Sequence, residues 1–135
     1  MVAGNLCGGR LSDRIGPGYA GLCLVIQMAV SLLLMYFFAS CPWVAVPVMM
    51  LTTFALFGVS SPQQLLLLRY SQGGELMGGA MVQIAFNLGN AIGAFAGGIP
   101  ISLGMSIETT CLVGLAFVLG AIMCYVWFCR RYERK

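Results

Sequence analysis

Three side-chain amides, Gln83, Asn87 and Asn90, recur at spacings of four and three inside an otherwise apolar stretch. At about 100° per residue along a helix they form one narrow polar stripe. An amide in hydrocarbon is costly, so such a stripe turns toward protein or a water-filled cavity. Facing a cavity, it can hydrogen-bond a polar solute such as a sugar. Facing a neighbouring helix, it acts as interhelical glue. A second polar group, Thr52, Thr53, Ser60, Ser61, Gln63 and Gln64, brackets Pro62. A proline inside a helix removes a backbone hydrogen bond, and the two serines are placed to satisfy the freed carbonyls. Glu75 precedes the amide-bearing stretch. There a carboxylate is favoured by the helix dipole, which suits a cap better than a proton carrier.

Other chemistries are excluded by what is missing. The chain has no histidine, and its six cysteines, Cys7, Cys23, Cys41, Cys111, Cys124 and Cys129, form no CxxC pair. A zinc or redox centre has no ligands to draw on. Most of these cysteines sit in apolar runs, where Cys behaves as a small hydrophobe; Cys41 and Cys111 are near enough to one end of the molecule for a disulfide to be considered. No nucleophile–base pair and no phosphate loop is present, so the sequence does not read as an enzyme, and it calls for no cofactor. A net charge of +3, without a basic groove or interleaved aromatics, does not suit nucleic acid. The one charge cluster is the tail Arg130-Arg131-Tyr132-Glu133-Arg134-Lys135, a solvated end that can also touch anionic lipid headgroups.

The elements that must carry these residues are membrane helices. Hydrophobic residues make up 60% of the 135 and charged residues only 8%, against about 25% charged in a soluble domain. So few charges cannot cover a water-facing surface. A spanning helix needs roughly 20 apolar residues, and four stretches supply them: 19–39, 44–68, 77–99 and 109–129. None contains Asp, Glu, His, Lys or Arg. Residues 1–9 are small and apolar but too short to span, and read as the end of a helix whose beginning is missing. They lack the basic start and long apolar core of a signal peptide. A loop over 10–18, short turns, and a tail over 130–135 complete an all-α, polytopic membrane region of four helices plus a partial one.

Arg10, Arg14, Arg69, Arg130, Arg131, Arg134 and Lys135 all fall on one side of such an arrangement, while 40–43 and 100–108 contain no basic residue. By the positive-inside rule the basic side, with the C-terminus, is cytoplasmic.

The first connection reads Gly9-Arg10-Leu11-Ser12-Asp13-Arg14-Ile15-Gly16. Through Gly9, Leu11, Asp13, Arg14 and Gly16 it resembles the GxLxDRxG loop signature of the major facilitator superfamily; Pro17-Gly18 stand where that family often has two basic residues. Ser60-Ser61-Pro62-Gln63, Gly73-Gly74-Glu75-Leu76 and the run from Gln83 to Asn90 resemble the sugar-efflux, arabinose-efflux-permease-like branch of the drug:proton antiporters. The resemblance implies the end of helix eight followed by helices nine to twelve of a twelve-helix transporter, in a bacterial inner membrane. It implies a cavity lined by the second span, which adds Thr52 and Gln63 to Gln83, Asn87 and Asn90 as candidate substrate contacts. The loop aspartate, Asp13, would face a helix of the absent half.

Gly89, Gly93 and Gly97, each four apart, permit close backbone approach, and are expected to meet the partial helix or the second span. The leading reading is therefore a fragment of a secondary active transporter for sugars or small drug-like molecules, inactive alone, whose partners are the bilayer, the missing N-terminal helices and a small-molecule substrate. The alternatives are a free-standing four-helix membrane protein that binds or regulates a partner, and a small dimerising multidrug exporter. The second class relies on a membrane-embedded carboxylate, and this chain has none in its apolar stretches.

Overall fold

Gly16 decides where the first two helices part. Its φ of 90° lies in the left-handed region that a residue without Cβ adopts freely. Its N–H closes back onto the Ser12 carbonyl at 3.0 Å, and its own carbonyl receives the Ala20 N–H. Pro17 follows as the first helical residue, where its missing N–H costs nothing. In this computed structural model, which describes residues 2–38, 41–71, 73–106 and 108–133, the chain forms α1 (Val2–Ile15), α2 (Pro17–Phe38), α3 (Pro42–Tyr70), α4 (Glu75–Ser102) and α5 (Glu108–Phe128), with a π-helical turn over Cys129–Glu133. No strand occurs among the described residues.

The expected loop over 10–18 is thus helical on both sides of a single glycine. The motif residues Gly9 to Arg14 form the last turns of α1, because their i→i−4 bonds are completed before Gly16 reverses the chain. The spans begin and end a few residues beyond the apolar cores. Pro17 and Pro42 open α2 and α3, and Pro100 is absorbed into the last turns of α4. Gly73 and Gly104, at φ 83° and 74°, reverse the chain after α3 and α4.

Helices α2, α3, α4 and α5 are each long and apolar enough to cross a membrane. The core lies where α2 is sandwiched between α3 and α5. Leu24, Val25 and Ala29 of α2 pack with Val59 of α3 and Val118 of α5. Helix α1 lies against α2 and α3. Helix α4 touches only its chain neighbours α3 and α5 among the described elements. Its Met81, Ile84, Leu88, Ile92 and Phe95 all face outward. Such a surface is stable against hydrocarbon or further helices, not against water.

Candidate functional site

Helix α1 is held to α3 by glycines. An added Cβ at Gly8 would collide with the Gly58 carbonyl oxygen, and one at Gly4 would lie 2.6 Å from the Phe54 oxygen. The backbones can approach this closely because neither position has a side chain. Polar groups close the same seam. Ser60 donates to Asn5 Oδ1 at 2.7 Å, and Ser61 donates to the Asn5 carbonyl at 3.1 Å. The same Ser60 hydroxyl lies 2.9 Å from the Phe57 carbonyl of its own helix, so its one proton is shared between the helix and the seam, while Ser61 serves the seam. Pro62 is fully buried. The Gly4-x3-Gly8-x3-Ser12 spacing is the sequence signal of this contact, although residues 1–9 are too short to span.

The α4 residues are arranged otherwise. Gln83, Asn87 and Asn90 are exposed and make no hydrogen bond among the described residues. Gly89 and Gly93 have nothing within 4 Å of an added Cβ. Gly97 is met by the Thr110 methyl at 3.2 Å, and its carbonyl accepts the Thr110 hydroxyl at 3.2 Å. The glycine row therefore meets α5 at one end and open space elsewhere. The expected contact of this row with α1 or α3 does not form; α4 meets α3 elsewhere, as at Gly78 beside the Leu67 carbonyl.

Thr52 and Gln63 are eleven residues apart, about three helical turns, so they share a face of α3. Both are half-buried. Thr52 donates to the Val48 carbonyl at 2.9 Å. The polar neighbour of Gln63 is Tyr125 on α5, whose buried hydroxyl completes no hydrogen bond among the described residues. That ring also covers Gly21 of α2, whose added Cβ would lie 2.5 Å from ring atom Cε1. The structure thus assembles two separate polar groups. Gln63 and Tyr125 are half-buried where α2, α3 and α5 meet, while the three amides of α4 are exposed.

Of the motif residues, Gly9 has open space around it, Leu11 packs against the core, and Gly16 makes the turn. Asp13 and Arg14 are exposed and form no ion pair among the described residues. No disulfide joins Cys41 to Cys111. No group of three potential metal ligands occurs among the described residues. The expected cap at Glu75 lies outside the described side chains, and the tail residues Arg134 and Lys135 outside the described residues altogether.

Four apolar helices and an outward amide stripe describe a membrane protein with a polar face to offer. Over all 135 residues the chain is 35% identical to "Putative transporter AraJ" of Escherichia coli K12, and over 134 residues it is 33% identical to the "Inner membrane transport protein YdhP" of the same strain. The chain is homologous to these transport proteins. It spans about a third of their length, 34% and 33% respectively, in each case the C-terminal third. No family model and no solved structure matches it.

Proposed function

We propose that this chain is part of a secondary active transporter of the major facilitator type, resident in a bacterial inner membrane, that exports sugars or small drug-like molecules. The observation that carries the reading is the end-to-end match to transport proteins, along a chain with four spans. In this reading α1 is the end of helix eight, and α2 to α5 are helices nine to twelve. The basic ends at Arg10, Arg14, Arg69 and Arg130 face the cytoplasm.

The substrate cavity is walled by α4 and α3, with Asn87 and Asn90 as hydrogen-bonding groups, Gln83 beside them, and Thr52 and Gln63 contributing from α3. Support comes from the three amides, which are exposed without partners among the described residues. Such groups require water, substrate or another helix at membrane depth. Gly89 and Gly93 offer a close-packing surface to a helix beyond this sequence. Asp13, exposed at the end of α1, is available to a helix start in the other half.

Transport sites of this kind form between repeats or halves, with the substrate near the midplane. The chain alone therefore moves no substrate. The apolar cores of the spans, 19–39, 44–68, 77–99 and 109–129, contain no carboxylate, histidine or cation, so in this reading a proton-coupling group at membrane depth belongs to helices outside this sequence.

The test is a pair of reconstitutions in lipid vesicles, the chain alone and the chain fused behind the N-terminal two thirds of AraJ. Radiolabelled pentoses and a fluorescent drug-like cation serve as probes. Saturable flux by the fusion and none by the chain alone is expected. Saturable flux by the chain alone, or none by a folded fusion with every probe, overturns the reading.

A further inference from the structure

At the basic end of the molecule, α2 and α5 leave an open groove of about 270 Å³, lined by Tyr19, Leu22, Val126, Cys129 and Arg130. The spacing explains why these five meet. Tyr19 and Leu22 are three apart on α2; Val126, Cys129 and Arg130 are three and four apart on the facing side of α5 and its π-helical end. The groove is polarised along the helix axes. Helix α2 enters the membrane from this end, so Tyr19 stands at the mouth and Leu22 roughly 4.5 Å deeper. Helix α5 leaves at this end, so Val126 is deep and Arg130 lies roughly 6 Å nearer the surface. A cation and a phenol therefore frame the mouth, and two aliphatic side chains form the floor.

The neighbouring cation is differently engaged. Arg131 lies over the Trp127 ring, 5.3 Å from its centroid. Arg130 is exposed, lines the groove, and has no ion pair among the described residues. A guanidinium recognises a phosphate through paired N–H donors, and a tyrosine hydroxyl can add one more.

We propose that this groove binds one anionic glycerophospholipid of the surrounding leaflet. Its phosphate lies against Arg130 and Tyr19, and one acyl chain runs along Leu22 and Val126. The charge selects a headgroup without a compensating amine. The apolar floor selects a lipid over a free anion. Neither feature depends on what the protein transports.

Native mass spectrometry of the purified full chain, released from micelles doped with equal phosphatidylglycerol and phosphatidylcholine, tests the assignment. The wild type should retain phosphatidylglycerol preferentially. Arg130→Gln should lower that retention about fivefold, the loss expected for one arginine at an anionic surface. Arg131→Gln should change it by less than about twofold, since that side chain is stacked on Trp127. Val126→Trp, with Leu22→Phe as a second groove-filling change from the opposite wall, should reduce retention while circular dichroism shows unchanged helix. Equal losses for Arg130→Gln and Arg131→Gln would indicate a diffuse basic surface and overturn the site. Full retention in both groove-filled variants overturns it as well. Displacement of the lipid by inorganic phosphate would assign the site to a free anion and refute the lipid.

Discussion

Helices α1 and α4 both carry glycines four residues apart, and they end in opposite surroundings. Gly4 and Gly8 of α1 lie against the backbone of α3 at Phe54 and Gly58. In the α4 row, Gly89 and Gly93 face open space, and Gly97 alone of the three finds a neighbour, in Thr110. The polar residues divide in the same way. Asn5 of α1 is bonded from Ser60 and Ser61, while Gln83, Asn87 and Asn90 of α4 have no partner among the described residues. A small-residue row makes close approach permissible but not obligatory; a partner with a matching gap must also be present. Gly58 is that gap on α3. The seam between α1 and α3 is closed by backbone contact, whereas the glycine and amide faces of α4 are open among the described residues.

The strongest way to break this contrast is to add one methyl group. Gly8→Ala places a Cβ on the Gly58 carbonyl oxygen, where only backbone movement relieves the clash. We expect a loss of about 1–3 kcal/mol or more, the usual cost of overpacking a closed contact. It is read as a fall in the denaturant midpoint, or in folded yield, of the purified chain. Full stability of Gly8→Ala would mean that the seam is not closed.

Gly21→Ala ranks next. Its Cβ would meet the far end of the Tyr125 ring, at 2.5 Å from Cε1. A ring can swing where a backbone cannot, so the expected cost is about 1 kcal/mol, at the low end for overpacking. Tyr125→Phe in the same background removes the crowding hydroxyl and should recover part of it. A loss equal to that of Gly8→Ala would show the ring to be as rigid as the α1–α3 backbone.

Asn5→Ala should cost less again. It removes the acceptor of the Ser60 hydroxyl, but Ser60 keeps the Phe57 carbonyl, and the Asn5 carbonyl still accepts from Ser61. Interhelical hydrogen bonds in membrane proteins average about 0.6 kcal/mol in double-mutant cycles. A cycle with Ser60→Ala should return a coupling near that value. No measurable coupling would show that the Asn5–Ser60 side-chain bond adds nothing to the glycine contact.

Much of this architecture is legible in the sequence. The four spans follow from long apolar runs, because each must satisfy its backbone internally and present apolar side chains outward. Their ends were less legible. Pro17, Pro42 and Pro100 look like loop residues by type, yet each sits where its missing N–H is tolerated or in a helix's last turns. Polar Arg10, Ser12 and Asp13 suggested a loop, but side-chain polarity does not end a helix; Gly16 does.

The candidate site was legible only as a face. Periodicity placed Gln83, Asn87 and Asn90 together without indicating which neighbour that face would find. For Gln63 it gave no hint of Tyr125, because contacts between distant helices are set by packing. The Gly4 and Gly8 row has as plain a spacing as the α4 row, but on a stretch too short to span the signal does not stand out from the apolar background.

The sharpest separation of the two regions comes from substitutions on α4 itself. Gly93→Ala in this chain meets nothing within 4 Å, so stability should stay within about 0.5 kcal/mol, as for surface changes generally. Asn87→Leu should be equally silent here, since no bond is lost. In the fusion with the N-terminal helices of AraJ the two should diverge. A larger residue at Gly93, such as leucine, would hold apart a helix that now approaches, and should lower folded yield. Asn87→Leu should leave yield intact and lower flux per molecule, because an amide that meets substrate in a cavity contributes to transport rather than to assembly. If Asn87→Leu instead lowers yield and leaves flux per molecule unchanged, the amide stripe is interhelical glue. The open face of α4 would then be an assembly surface in its entirety, and the cavity wall would have to be sought on α3, where Thr52 and Gln63 share a face.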